Sequence, residues 1–231
     1  MERLFLIIGR INSVLFLLVL CGAALSIGWV TFAGSRWQHR GEVEVAGIGQ
    51  DTKKLMVLNF ERIENIPGTG IQMLRLVSHE KQVKFVSGGY GEREIRNILF
   101  LKGKDNATQW LFKSHKNLIL VASQLQEETS KSKDDSPSRA LYFEYVADDS
   151  NGDGQFTNDD YSNVGLTNPD GSGFVEVLHG VNRVLSYEML DQQQLSIIYQ
   201  KGAMVRVMRV SLNPIKSESD REIINVATQQ P

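Results

Sequence analysis

The sequence predicts a mainly β protein in which a single N-terminal transmembrane helix precedes an antiparallel β domain. Three observations lead there. The run from Val14 to Ala33 holds about 20 residues without a charge, long enough at 1.5 Å rise per residue to cross a bilayer core. From Leu55 onward, short apolar or alternating runs are split by Gly and Pro clusters, the signature of strands and hairpins. Between two of those runs, the segment from Asp149 to Asp160 has oxygen-bearing side chains at the spacing of a calcium loop. The expected layout is a cytoplasmic tail and anchor over 1–36, a linker over 37–50, a β domain over 51–213 and a polar tail over 214–231.

Composition narrows the functional classes. A net charge of -2 in 231 residues gives no electrostatic footprint for nucleic acid. The one cysteine, Cys21, lies in the apolar run, so the remainder of the chain holds no disulfide. The four histidines, His39, His79, His115 and His179, are scattered, and none stands beside a cysteine at metal-ligand spacing.

The apolar run reads as an anchor because it continues through Ile27, Trp29, Val30 and Phe32 instead of ending in a small-residue cleavage site. Trp29, Phe32 and Trp37 suit an interfacial aromatic belt at its exit. Arg3 and Arg10 on one side nearly balance Arg36 and Arg40 on the other, so charge alone does not orient the helix. The calcium loop decides for an extracytoplasmic domain, since a site of modest affinity fills where calcium is abundant. The expected location is therefore the cell inner membrane, with the C-terminal domain periplasmic.

Past the glycines Gly41, Gly47 and Gly49, strands are expected at Leu55–Leu58, Ile71–Val77 and Val83–Val86, with a turn at Ile66–Gly70. Gly88, Gly89 and Gly91 lack the following helix and Lys-Ser pair of a phosphate loop. Next come strands at Asn97–Leu101 and Gln109–Phe112 around a polar turn, then Leu118–Ala122. Residues Glu127–Arg139 contain nothing apolar to bury and read as a solvated loop. Ala140–Ala147 is a strong strand that delivers the chain into the calcium loop, and Asp159–Val164 is expected to form a helical turn.

The order then repeats. Asn163–Thr167, a turn at Asn168–Gly173, Phe174–Leu178 and Arg183–Tyr187 align with the segment from 97 to 122 at an offset of about 66 residues. A hairpin followed by a third strand thus occurs twice. The last strands, Leu195–Tyr199 and Met204–Val210, flank a Gly-containing hairpin turn at Gln200–Ala203. Alternation in the second of them falters around Met208, which two-sided burial or a bulge explains. After Pro214 the chain is expected to fray.

In the loop, Asp149, Asn151 and Asp153 occupy positions 1, 3 and 5, and Gly154 at position 6 allows the sharp turn. The carbonyl of Gln155, a hydroxyl or water at Thr157 and the carboxylate of Asp160 complete six ligand positions for Ca²⁺. Asp160 stands where an EF-hand has a bidentate Glu, as in dockerin-type loops. With no second loop and a strand in place of a preceding helix, the ion is expected to pin a long β insertion, not to switch a helix pair.

The stretch Val164 to Leu178 resembles the repeat of TolB-like β-propellers, in which a strand runs into an Asn-x-Asp-Gly-Ser turn and returns as a strand. The resemblance covers about one hairpin, with weaker echoes at 97–122 and 195–212. It implies a ring of blades that binds partners and is rarely catalytic. Roughly 175 residues allow at most about four blades of 40 to 45 residues, so a partial propeller-like sheet or a β-sandwich is expected.

No nucleophile elbow occurs and no Ser-x-x-Lys stands in a recognisable catalytic context, so no catalytic residues are assigned. The expected function is a membrane-anchored extracytoplasmic β-domain with a structural calcium site, an interaction or assembly module with an envelope protein partner. The alternative is an envelope hydrolase acting on glycan through a carboxylate pair.

Overall fold

The computed structural model describes residues 56–61, 63–80, 93–126 and 136–227, all within the second of the two units into which the chain divides, Val43–Pro231. The anchor, the linker, the strand expected at Val83–Val86 and most of the polar loop lie outside these residues. Among the described residues no helix is long and apolar enough to cross a membrane.

The chain forms thirteen strands among the described residues, all paired antiparallel. They are β1 (Met56–Phe60), β2 (Glu64–Ile66), β3 (Ile71–Glu80), β4 (Glu94–Lys102), β5 (Ala107–Trp110), β6 (Leu118–Gln126), β7 (Ser138–Val146), β8 (Ser162–Thr167), β9 (Val175–Val181), β10 (Arg183–Met189), β11 (Gln194–Lys201), β12 (Met204–Leu212) and β13 (Ile215–Asn225). One sheet runs β1-β3-β4-β6-β7-β8-β9, with β2 on β3 and β5 on β4. The other is the meander β10-β11-β12-β13. β4 and β6 meet at a single pair, Ile95 with Ile119, so the larger sheet is two blocks joined at one point. Three consecutive antiparallel blocks result: β1–β5, β6–β9 and β10–β13.

The middle block is covered on both faces, and β7 shows why. Its sequence, Ser-Arg-Ala-Leu-Tyr-Phe-Glu-Tyr-Val, is apolar from Ala140 to Phe143 and again at Tyr145 and Val146, on both faces, as a doubly buried strand requires. Alternate residues serve different cores because successive side chains point to opposite faces. Ala140 and Tyr142 join Val164, Leu166, Leu195, Ile197 and Val210 in the core between the second and third blocks. Leu141, Phe143 and Tyr145 join Ile71, Met73, Ile98 and Phe100 in the core between the first and second.

Both expected hairpins form, β4–β5 and β8–β9. The third strand of each repeat, β6 or β10, does not complete the same block. It opens the next one: β6 pairs along its length with β7, and β10 pairs with β11. The two turns touch, since Lys102 Nζ reaches Asp170 Oδ2 at 3.4 Å and Gln109 Nε2 donates to the Gly171 carbonyl at 2.9 Å.

Three expectations are corrected, and one is extended. The tail after Pro214 does not fray: β13 pairs with β12 over Ile215–Asn225, and Asp220 accepts from Tyr199 and Arg206. The turn at Ile66–Gly70 forms, and it closes a short hairpin whose first strand, β2, is not among the expected ones. Asp159–Val164 forms no helical turn, because Ser162 already pairs with Val181 in β8. The polar loop ends sooner than Arg139, with Ser136 and Ser138 buried and β7 starting at Ser138. Around Met208, which is buried, register shifts flank β12 at Val205/Arg206 and Arg209/Val210, the bulges that the faltering alternation announced.

Candidate functional site

The segment from Asp149 to Asp160 links β7 to β8, and short polar side chains shape it. Asp149 Oδ1 accepts from the amides of Gly152 (2.7 Å) and Asp153 (3.2 Å), and Oδ2 from that of Gly154 (2.8 Å). The backbone curls around this one carboxylate, with Gly152 and Gly154 both at positive φ. Asn151 Oδ1 and Asp153 Oδ1 each accept the amide two residues on, at 2.9 and 2.8 Å. Asn151 Nδ2 also lies 3.3 Å from Asp153 Oδ2.

Asp160 plays a different part. It is 1% exposed, and its Oδ1 accepts from Ser150 N, Ser150 Oγ and Asn151 N while Oδ2 accepts from Thr157 N. Burial pushes this carboxyl up, but the amides of Thr157, Ser150 and Asn151 and the Ser150 hydroxyl outweigh it and hold the carboxyl below its usual range. Asp160 thus clasps the start of the loop to its end.

Of the six sequence-derived ligands, Asn151, Asp153 and Gln155 are exposed, Asp149 and Thr157 half-buried, and Asp160 buried. Among the described residues no group of three or more His, Cys, Asp or Glu side chains is placed to hold a metal ion. Asp149, Asp153 and Asp160 are each engaged with the loop's own amides instead of sharing one centre. The donor chemistry still suits a hard cation, since a carboxylate oxygen with one or two N–H donors retains acceptor capacity.

The two histidines after the hairpins differ in setting. His115 is half-buried, its ring 4.7 Å from Trp110, and Nδ1 lies 2.9 Å from Asn97 Nδ2. The Asn97 amide is a donor there, so Nδ1 accepts and the ring is neutral; burial lowers its pKa. His179 is exposed and faces Glu176, whose other oxygen accepts from the buried Tyr145 hydroxyl. Burial first, and this bond second, push the Tyr145 hydroxyl up.

A feature that sequence reasoning missed is an open cleft of about 1310 Å³, lined by segments of β2, β3, β6 and β10. Ser123 Oγ and Tyr187 OH meet there at 2.8 Å, and the Tyr187 ring stacks on buried Tyr142 with centroids 4.0 Å apart. Arg75 is paired with Glu64 at 3.1 Å. The lining segments are far apart in the chain and mix buried with exposed residues, so no local pattern marks them.

No protein-family model matches the chain, and no curated protein matches it in sequence. Among solved structures, a luciferin-regenerating enzyme aligns with a TM-score of 0.36 and 9% identity, over 73% of this chain and 61% of that one. The chain thus spans about three fifths of that enzyme's length, and a likeness this slight decides neither fold nor activity.

Proposed function

We propose that the chain is a membrane-anchored, extracytoplasmic β-domain of the inner membrane, serving as an interaction or assembly module for an envelope protein partner. Ca²⁺ at the 149–160 loop is its structural ion, and the three blocks are blades of a partial, propeller-like array. The observation that carries the reading is the loop itself. Oxygens at positions 1, 3 and 5 follow one another around a backbone already curled on Asp149, at the end of the strand that joins both cores. The long uncharged run at 14–33 supplies the tether, and the repeated hairpin order, with one Asn-x-Asp-Gly-Ser turn at Asn168–Ser172, supports the blade reading.

Bound there, Ca²⁺ would draw on Asp149, Asn151, Asp153 and the carbonyl of Gln155, while Asp160 keeps the loop ends together. The placement is tested by adding protease to intact spheroplasts. Digestion of residues 51–213 is expected, and a protected domain overturns the assignment.

A further inference from the structure

We propose that the cleft receives an extended polypeptide segment, paired as an added strand on the free edge of β6 and carrying alternate apolar and basic side chains. The inference rests on the reading of the domain as an interaction module and names where the partner sits.

Three observations carry it. The first is backbone chemistry. β6 pairs on one side with β7, but on the other it meets β4 only at Ile119, which leaves the edge from Val121 to Gln126 unpaired among the described residues. β10, across the cleft, pairs only with β11 among the described residues. A row of free N–H and C=O groups beside an open cleft is a template for another strand. Six residues of edge offer roughly 20 Å of ladder.

The second is size and side-chain character. At about 1310 Å³ the cleft exceeds the roughly 300–1,000 Å³ of small-molecule pockets. Its rim exposes Ile63 (49%) and Leu190 (43%), with half-buried Met189 at the end of β10. An extended peptide presents every second side chain to one face, so apolar residues can meet this rim while their neighbours point away.

The third is charge. Among the described residues, Glu64, Glu188 and Asp191 line the cleft against one cation, Arg75, which is already paired with Glu64. The surplus is negative, and the complementary side chains are Lys or Arg.

Fluorescence anisotropy of the full chain in detergent tests the proposal, using a labelled octapeptide of Lys-Val repeated four times. Saturable binding is expected. N-methylation of alternate peptide bonds, which removes ladder donors and keeps every side chain, is expected to weaken it about tenfold. Glu188→Lys, at an exposed position that leaves both cores intact, is expected to weaken it about fivefold. No saturable signal, equal binding of the N-methylated peptide, or an unchanged Glu188→Lys overturns the proposal. Probe binding that appears only when residues 127–135 are deleted also overturns it, since the chain's own loop would then be the occupant. Should crosslinking in membranes capture a partner equally well on wild type and Glu188→Lys while the peptide fails, the docking site falls and the interaction module stands.

Discussion

Asn97 and Asn163, 66 residues apart, perform the same task in successive blocks. Asn97 Oδ1 accepts the amide of Phe112, and its Nδ2 donates to the carbonyls of Phe112 and Ser114. Asn163 Oδ1 accepts the amide of Gly180, which stands 66 residues after Ser114. Each buried side chain ties the outgoing end of a hairpin back to the strand that began it. The internal repeat therefore has a polar clasp as well as an apolar pattern.

Asn97→Ala removes four bonds to the hairpin and to the Ile98 amide and leaves buried backbone groups without partners. A loss of about 2–4 kcal/mol is expected from urea denaturation, against about 1–2 kcal/mol for Asn163→Ala, which gives up one such bond. Equal losses would contradict the unequal bonding.

Gly171 combines two demands. Its φ is +77°, and a Cβ there would lie 2.6 Å from the Phe100 ring in the core. Gly103 has φ +65° with open space around it. Gly103→Ala is expected to cost about 1 kcal/mol from backbone strain alone, and Gly171→Ala clearly more, about 2–4 kcal/mol. The two midpoints in one urea series decide.

His115 titrates against the fold. Its folded pKa is lowered by burial, so below the unfolded value near 6.5 the unfolded chain binds more protons and stability falls as pH falls. Protonation would also aim an N–H from Nδ1 at the Asn97 amide donor. His115→Leu is expected to flatten the stability profile between pH 7.5 and 5.5, measured by urea midpoints. A parallel decline in the variant would assign the slope to other groups.

Asp160 acts in the same direction at lower pH. Its folded pKa is depressed, so its contribution is present in full above the unfolded value near 3.9 and is gone once the pH has fallen through the folded value. Asp160→Asn is expected to lower the urea midpoint at pH 7 and to shrink the acid loss below about pH 4. An unaltered acid limb would remove Asp160 from that role.

Calcium is expected to raise the melting temperature of the full chain in detergent, and Asp153→Ala to abolish the gain. Asp153 is exposed and outside both cores, so without calcium the variant is expected to melt close to wild type, lowered only by the loss of its bond to the Gln155 amide. No shift at millimolar calcium would remove the ion from the proposed function.

Much of the strand order was legible because the apolar runs are dense and their turns carry Gly, Pro or Asn. β7 is the clearest case: the run from Ala140 to Ala147, seven of whose eight residues lie in the strand, declares it without reference to anything distant. β13 was not legible. Its centre, Lys216 to Glu222, has no apolar residue, and it is held by ladder bonds to β12 and by Asp220 meeting Tyr199 and Arg206. β2 was hidden because three residues are too few to show alternation. In the loop, spacing found the oxygens, but the use of Asp160 as a clasp depends on which amides fold back to it. The cleft depends on strand edges left over after pairing, a property of the assembled sheets.

The division of labour along β7 has a mechanical outcome. Ala140 and Tyr142 grip one side while Leu141, Phe143 and Tyr145 grip the other, so withdrawing this strand would open both interiors together. Its amide protons should be among the slowest to exchange with deuterium, and fluorescence from Trp110 in the first block and stretching of the third block should report one shared melting event.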